Sequence, residues 1–333
     1  MTAGTEDWMN METISDRLVI ASFKDGILTC LFCGEKAVQL NFEKGKSSLV
    51  GNIYAGRVRH IVSNIDAAFV DIGEETPAYF SLDEKSGPVY LDGKKHDRLK
   101  EGDEILVKVK KDAVKTKNAV CSSVFREASN WDFLNRCSMR KAPCLVKEAE
   151  PFWQYLAEKV LDSGQAEAVT DIPAVSETLN RYSEKCRLYA DETLPLMKLY
   201  SLETIADEAL SGKVWLKDGG YLVIEPTEAM TVIDVNTGKT DRKGTREDII
   251  LKTNREAAAE IARQLRLRNI SGIVMVDFIN MKTPEEKEDL LKDLNTLLSG
   301  DPVETSAVDM TSLDIAEIVR RKTGKPFSEQ MKV

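Results

Sequence analysis

The chain has 333 residues, is 42% hydrophobic and carries a formal charge of -9, which is enough for two or three domains with sizeable cores. It contains no apolar run of the roughly 18 residues that a spanning helix needs, and Met1 to Asp16 is acidic and polar, so the sequence offers neither a membrane span nor a secretory signal. Six cysteines scattered at positions 30, 33, 121, 137, 144 and 186 read as reduced thiols, and a cytoplasmic location is expected.

In chain order, Arg17 to Phe42 alternates apolar runs with turn residues at Lys24-Asp-Gly26 and Gly34-Glu-Lys36, which predicts antiparallel strands. From Lys46 to Arg126 short β-rich runs are punctuated at Gly73-Glu-Glu75, Ser86-Gly-Pro88 and Glu101-Gly-Asp103, as in a small barrel. Within that stretch Lys94 to Lys117 holds nine basic residues against five acidic ones. An apolar strand start follows at Ala142 to Val146, then helical patterns at Pro151 to Ser163 and Pro173 to Arg187.

Two later strands carry acids near their C-terminal ends. In Met230-Thr-Val-Ile-Asp-Val-Asn236 the period of two puts Met230, Val232, Asp234 and Asn236 on one face; in Ile273-Val-Met-Val-Asp-Phe-Ile-Asn280 it groups Ile273, Met275 and Asp277. Between them Thr245, with Asp248 three residues on, predicts a helix start, and Ile250, Ala258, Ile261 and Leu265 continue at helical spacing to a stop near Asn269 to Gly272. Two parallel strands joined by this helix bring both acids to one sheet edge. Desolvating an isolated carboxylate is costly, and two converging carboxylates match Mg²⁺, which takes one or two of them plus waters and phosphates. The alternative is a pair of loop-capping or Arg-paired acids. Lys239 to Arg268 holds nine basic residues against five acidic ones, which suits a phosphate backbone and equally suits a solvated helix face.

Thr231 to Gly238, Lys252 to Arg268 and Gly272 to Met281 resemble the catalytic core of the ribonuclease E/G family, and Gly51 to Val58 followed by Asp66 to Gly73 is similar to its RNA-binding block. The resemblance runs from about Asp16 to Arg321. It implies an α+β multidomain fold: a ribonuclease-H-like domain (1–45 and 127–215) with an inserted OB-fold β-barrel (46–126), then a deoxyribonuclease-I-like α/β catalytic domain (216–333). It also implies a metal-dependent endoribonuclease acting on single-stranded RNA and leaving 5′-phosphate and 3′-hydroxyl ends. Asp234 and Asp277 would hold Mg²⁺, with Mn²⁺ as the alternative, and Asn236 would orient an acid or the phosphate. RNA contacts fall to Phe69, Tyr79 and Lys117 in the barrel and to Arg320 and Lys322 after the catalytic strands. Phe69 lies in the apolar run Ala67 to Val70, so a core position is its competing reading.

Departures from the family pattern shape the remaining expectations. About fifteen residues separate Arg126 from Ala142, where long-form members carry a 5′-monophosphate sensor built on an Arg-Thr pair, and no Arg-Thr dipeptide occurs in this chain. The zinc-linked dimer of larger members is not expected, leaving a monomer or weak oligomer with no membrane partner. Asp314 stands where the family's basic motif usually opens with Gly. The rival function is a catalytically weak RNA-binding or scaffold protein, and a DNA-acting nuclease is a third, resting on fold analogy.

Overall fold

The computed structural model describes residues 16–45, 49–84, 87–94, 96–113, 117–162, 164–238 and 244–332. They fall into two compact units, one formed by residues up to Lys44 together with Phe152 onward, the other by Gly45–Pro151. The first unit opens with β1 (Arg17–Phe23), β2 (Gly26–Cys33) and β3 (Lys36–Glu43), an antiparallel meander whose turns fall at the polar breaks in the sequence.

The second unit contains β4 (Ile53–Val62), β5 (Ala67–Asp71), β6 (Ala78–Ser81), β7 (Val89–Tyr90), β8 (Glu104–Lys111) and β9 (Val120–Ser122). Because β8 pairs with both β9 and β4, the strands β4-β5-β6-β9-β8 close into a five-stranded, OB-like barrel, with β7 along β8. Strand alternation fills its interior with Val58, Ala68, Val70, Phe80, Ile105, Val107 and Val109. Helix α1 (Trp131–Ser138) and β10 (Cys144–Lys147) belong to this unit as well. β5 pairs only with Arg57 to Val62 of β4, and β10 takes the edge at Ile53 to Ala55. The expected boundary at 126 therefore falls short: 127–151 folds with the barrel, for a reason of strand pairing that no local pattern carries.

Back in the first unit come α2 (Phe152–Leu161), β11 (Glu167–Thr170), α3 (Pro173–Leu179), β12 (Cys186–Leu188), α4 (Leu196–Leu199) and α5 (Leu202–Leu210). The helical pattern read from Pro173 to Arg187 ends at Leu179, and Cys186–Leu188 is a strand. Parallel pairing with β11 overrides its weak local preference. β11 pairs with β1, giving the sheet order β12-β11-β1-β2-β3. Leu18, Ile20 and Val38 pack under α2 and α3, while Val19, Ala21 and Leu40 pack under α4 and α5, which is why Leu18 to Ala21 is apolar without alternation. Glu43, the last residue of β3, accepts hydrogen bonds from Phe152 N (2.6 Å) and Trp153 N (3.1 Å) at the start of α2.

The chain then builds a second sheet from β13 (Lys213–Trp215), β14 (Tyr221–Pro226), β15 (Thr231–Asn236), β16 (Gly272–Asp277), β17 (Thr305–Met310) and β18 (Ile315–Arg320), in the order β13-β14-β15-β16-β18-β17. Within it, α6 (Arg246–Leu267) links β15 to β16 and α7 (Pro284–Leu298) links β16 to β17; α8 (Phe327–Gln330) follows. Both long helices begin with complete capping boxes, Thr245 with Asp248 and Thr283 with Glu286. Their apolar faces, including Ala258, Ile261, Leu265 and Leu294, cover Leu222, Ile233, Val274, Val276 and Ile318 on one face of the sheet. Val232, Ile273 and Val319 lie exposed on the other. Among the described residues, no helix is long and apolar enough to cross a membrane.

Candidate active site

Strands β15 and β16 pair in parallel with Asp234 and Asp277 as direct Cα partners. Burial alternates along β15, so Ile233 and Val235 enter the core while Asp234 emerges on the exposed face. Asp277 emerges the same way from β16. Two carboxylates thus meet at the C-terminal ends of adjacent strands. Asn236 shares their face and donates from Nδ2 to Asp234 Oδ2 at 2.7 Å, which fixes that carboxylate's rotamer. Two residues on, Gly238 adopts φ +63°, and a Cβ there would lie 2.2 Å from Gly219 O, so only glycine lets the chain leave β15 along this path.

The Asp277 carboxyl is held above the ordinary carboxylate range, first by loss of water, then by the charges of Asp234 and Asp314. Like charges gathered at one edge favour a cation there. Among the described residues, no group of three or more His, Cys, Asp or Glu side chains is arranged to hold a metal ion. A carboxylate pair with open positions is the donor set that Mg²⁺ accepts, with waters and phosphate oxygens completing its octahedron. The residues present therefore fit such an ion.

The segment just after Asp277 is clamped from two sides, by Asn254, which the sequence did not mark, and by Asp314. Asn254 of α6 is fully buried; its Nδ2 donates to Ile279 O (2.8 Å) and its Oδ1 accepts from Ile279 N (3.1 Å). Opposite, Asp314 O accepts from Phe278 N (3.3 Å) and Asp314 Oδ2 accepts from Met281 N (3.1 Å), while Lys287 Nζ closes an ion pair on Oδ1. Asp314 achieves this at φ +63°, a left-handed position that favours glycine and that Asp tolerates better than most residues. An amide on the apolar stripe of α6 was the available signal for Asn254, since a polar side chain on that face must find partners.

The remaining predicted positions separate. In the barrel, Phe69 and Tyr79 are Cα partners on neighbouring strands, with ring centroids 6.1 Å apart and planes at 81°. Both are half-buried and point away from the interior filled by Ala68 and Val70, so Phe69 is not a core residue. Lys117 is exposed, three residues before β9, and Lys322 is exposed after β18. Arg320 is corrected. It is 4% exposed, its Nε donates to Asp301 Oδ2 (2.7 Å) and its Nη1 to Asn269 Oδ1 (2.8 Å) and Ile270 O (3.2 Å), so its guanidinium is unavailable to a nucleic acid.

The C-terminal arginines of α6 also turn away from solvent. Arg263 pairs with Glu260 and donates to Ala37 O, Arg266 donates to Gly300 O, and Arg268 donates to Ser211 O and Glu208 O. Burial pushes the Arg268 guanidinium down to about 10. Arg263 and Arg268 thus tie α6 to β3 and α5, whereas Arg246 and Lys252 of the same run stay exposed, Lys252 paired with Asp218. Lys239, Arg242 and Lys243, from the same run, lie outside the described residues.

Residues 106–323 match the model of the ribonuclease E/G family, about two thirds of the chain. The chain belongs to the ribonuclease E/G family. Similar proteins include ribonuclease G of Escherichia coli K12, 29% identical across 84% of this chain and 74% of that protein, and ribonuclease G of Haemophilus influenzae, 28% identical with the same coverage. Ribonuclease E of Synechocystis is 27% identical across 85% of this chain, which spans only 54% of its length.

Proposed function

We propose that this chain is an endoribonuclease that hydrolyses single-stranded RNA at Asp234 and Asp277, with 5′-phosphate and 3′-hydroxyl products. The observation that carries the reading is the in-register carboxylate pair on an exposed strand edge, in a chain of the ribonuclease E/G family. Asp234 and Asp277 would hold Mg²⁺ or Mn²⁺, which when bound would polarise the scissile phosphate and lower the pKa of an attacking water. Asn236 keeps Asp234 aimed, and the Asn254 and Asp314 clamps fix the backbone beyond Asp277. No histidine stands near Asp234 or Asp277 in the sequence, so a His base is not part of the proposal. The order of the first sheet supports reading it as ribonuclease-H-like, and the second as deoxyribonuclease-I-like, with a cytoplasmic, monomeric or weakly oligomeric protein as the setting.

Incubating the protein with a labelled A/U-rich single-stranded RNA, with and without Mg²⁺, tests the activity. Ion-dependent internal cleavage is expected; RNA binding without cleavage under any divalent ion would replace it with an RNA-binding scaffold. The short stretch between barrel and β10 gives a second expectation. One oligonucleotide carrying either a 5′-monophosphate or a 5′-hydroxyl should be cut at similar rates, and a tenfold preference for the monophosphate would contradict it.

In the barrel, Phe69 and Tyr79 are proposed to stack bases, each stack contributing about 1 to 3 kcal/mol, with Lys117 and Lys322 on phosphates. Phe69→Ala should weaken binding of short RNA by the contribution of one lost stack, roughly 1 to 3 kcal/mol. Its half-exposed position predicts an almost unchanged melt, unlike a core Phe→Ala change of about 3 to 5 kcal/mol. Lys117→Ala should weaken binding and flatten the log-log salt slope by about one unit. Unchanged RNA affinity in both variants removes these residues from RNA binding.

A further inference from the structure

We propose that Lys213, Trp215 and Tyr221 form a second base-stacking subsite for single-stranded RNA, on the same sheet face as the carboxylate pair. This rests on the RNA reading above and extends it to residues that the barrel and the acids leave unused.

Alternation along β13 and β14 sends Val214, Leu216, Leu222 and Ile224 to the core, leaving Lys213, Trp215, Tyr221 and Val223 on the opposite face. Register then ties them to the acids. Trp215 is the Cα partner of Tyr221, and Tyr221 of Asn236; Lys213 is the partner of Val223, and Val223 of Asp234. Directly opposed residues project to one side of an antiparallel pair. Trp215 thus stands two strand spacings, roughly 10 Å, from Asn236, within reach of a neighbouring nucleotide of a strand bound at the acids.

The cluster is built from the groups that hold an unpaired base. Trp215 is 65% exposed, and its ring lies 5.4 Å from that of Tyr221 at 63°. Lys213 Nζ sits 4.0 Å from the Trp215 centroid and 3.7 Å from the Tyr221 centroid. Among the described residues, no carboxylate forms an ion pair with Lys213. Trp215, Tyr221 and Lys213 together form a contiguous aromatic and basic patch open to solvent at the edge of the sheet. An incoming base would take the ring face, and the flexible ammonium would swing onto the adjoining phosphate, exchanging a weak exposed cation–π contact for a stack and a charge pair. Stacking accepts any base, so this subsite positions RNA without selecting sequence.

The test uses the full chain and a short labelled RNA. Trp215→Ala should raise KM by roughly tenfold, within the range a single lost stack produces, with kcat and Tm little changed. Trp215→Phe should retain most of the affinity, and Lys213→Gln should lower the salt dependence. A single abasic nucleotide walked along the RNA should reproduce the KM rise at one position near the cut in the unmodified protein, and cause no further loss at that position in Trp215→Ala. If the protein cleaves RNA and Trp215→Ala leaves KM unchanged, or abasic losses add at every position, the subsite is overturned while the nuclease reading stands. If the unmodified protein neither binds nor cleaves RNA, both are overturned.

Discussion

Asp234→Asn and Asp277→Asn should each lower single-turnover cleavage on the order of 100-fold or more while leaving RNA affinity within a few-fold. Asparagine keeps the shape of the side chain and removes the charge that would hold the ion. The Asp277 variant carries a further signature. Its carboxyl is held above the usual range by lost water and by Asp234 and Asp314, so the ionised form is disfavoured in the fold and weighs against stability at neutral pH. The neutral amide relieves that repulsion, and the ion-free melt of Asp277→Asn should lie at or slightly above that of the unmodified protein. Loss of cleavage with a higher melting point separates a functional acid from a structural one. Full cleavage in either variant would end the two-acid proposal.

Arg320→Met should be among the most damaging single changes to the fold. The Arg320 and Asp301 side chains are 4% and 3% exposed, and removing one partner of such a pair leaves an uncompensated buried charge, at a cost of about 3 to 5 kcal/mol. For a unit of this size that corresponds to a Tm lower by roughly 10 °C. The double variant Arg320→Met with Asp301→Leu should recover part of the loss, because no unpaired charge is left buried, while Asn269 Oδ1, Ile270 O and Val303 N lose the partners they had. A surface, phosphate-binding Arg320 would instead give an unchanged melt and a shallower salt slope, and that outcome would contradict its burial.

What the sequence could reveal here followed from period and spacing. The β15-α6-β16 unit was readable because a period-two strand, a Thr245 cap and a helical apolar stripe each carry a local signal, and parallel pairing brings the two acids together once that unit is granted. Charge was not readable in the same way. Counting Lys and Arg along α6 gave no means of knowing that Arg263, Arg266 and Arg268 turn inward, since guanidinium burial depends on carbonyls supplied from Ala37, Gly300 and Ser211, far away in the chain. The same holds for β12, a three-residue strand made by its neighbour, and for Asn254, whose partner is the backbone of Ile279. Arg320 resembled a basic-motif residue, and only the position of Asp301 assigns it to the interior.

The hydrogen bonds from Phe152 and Trp153 to Glu43 bring the point where the chain leaves for the barrel and the point where it returns side by side. Burial raises the Glu43 carboxyl above its ordinary range, and those two backbone donors counter the effect. The 107 residues from Gly45 to Pro151 are therefore a cassette with both ends soldered to a single clip. Such a cassette can lengthen, shorten or be exchanged, and the five strands beneath the clip keep their register because none of their pairings passes through it.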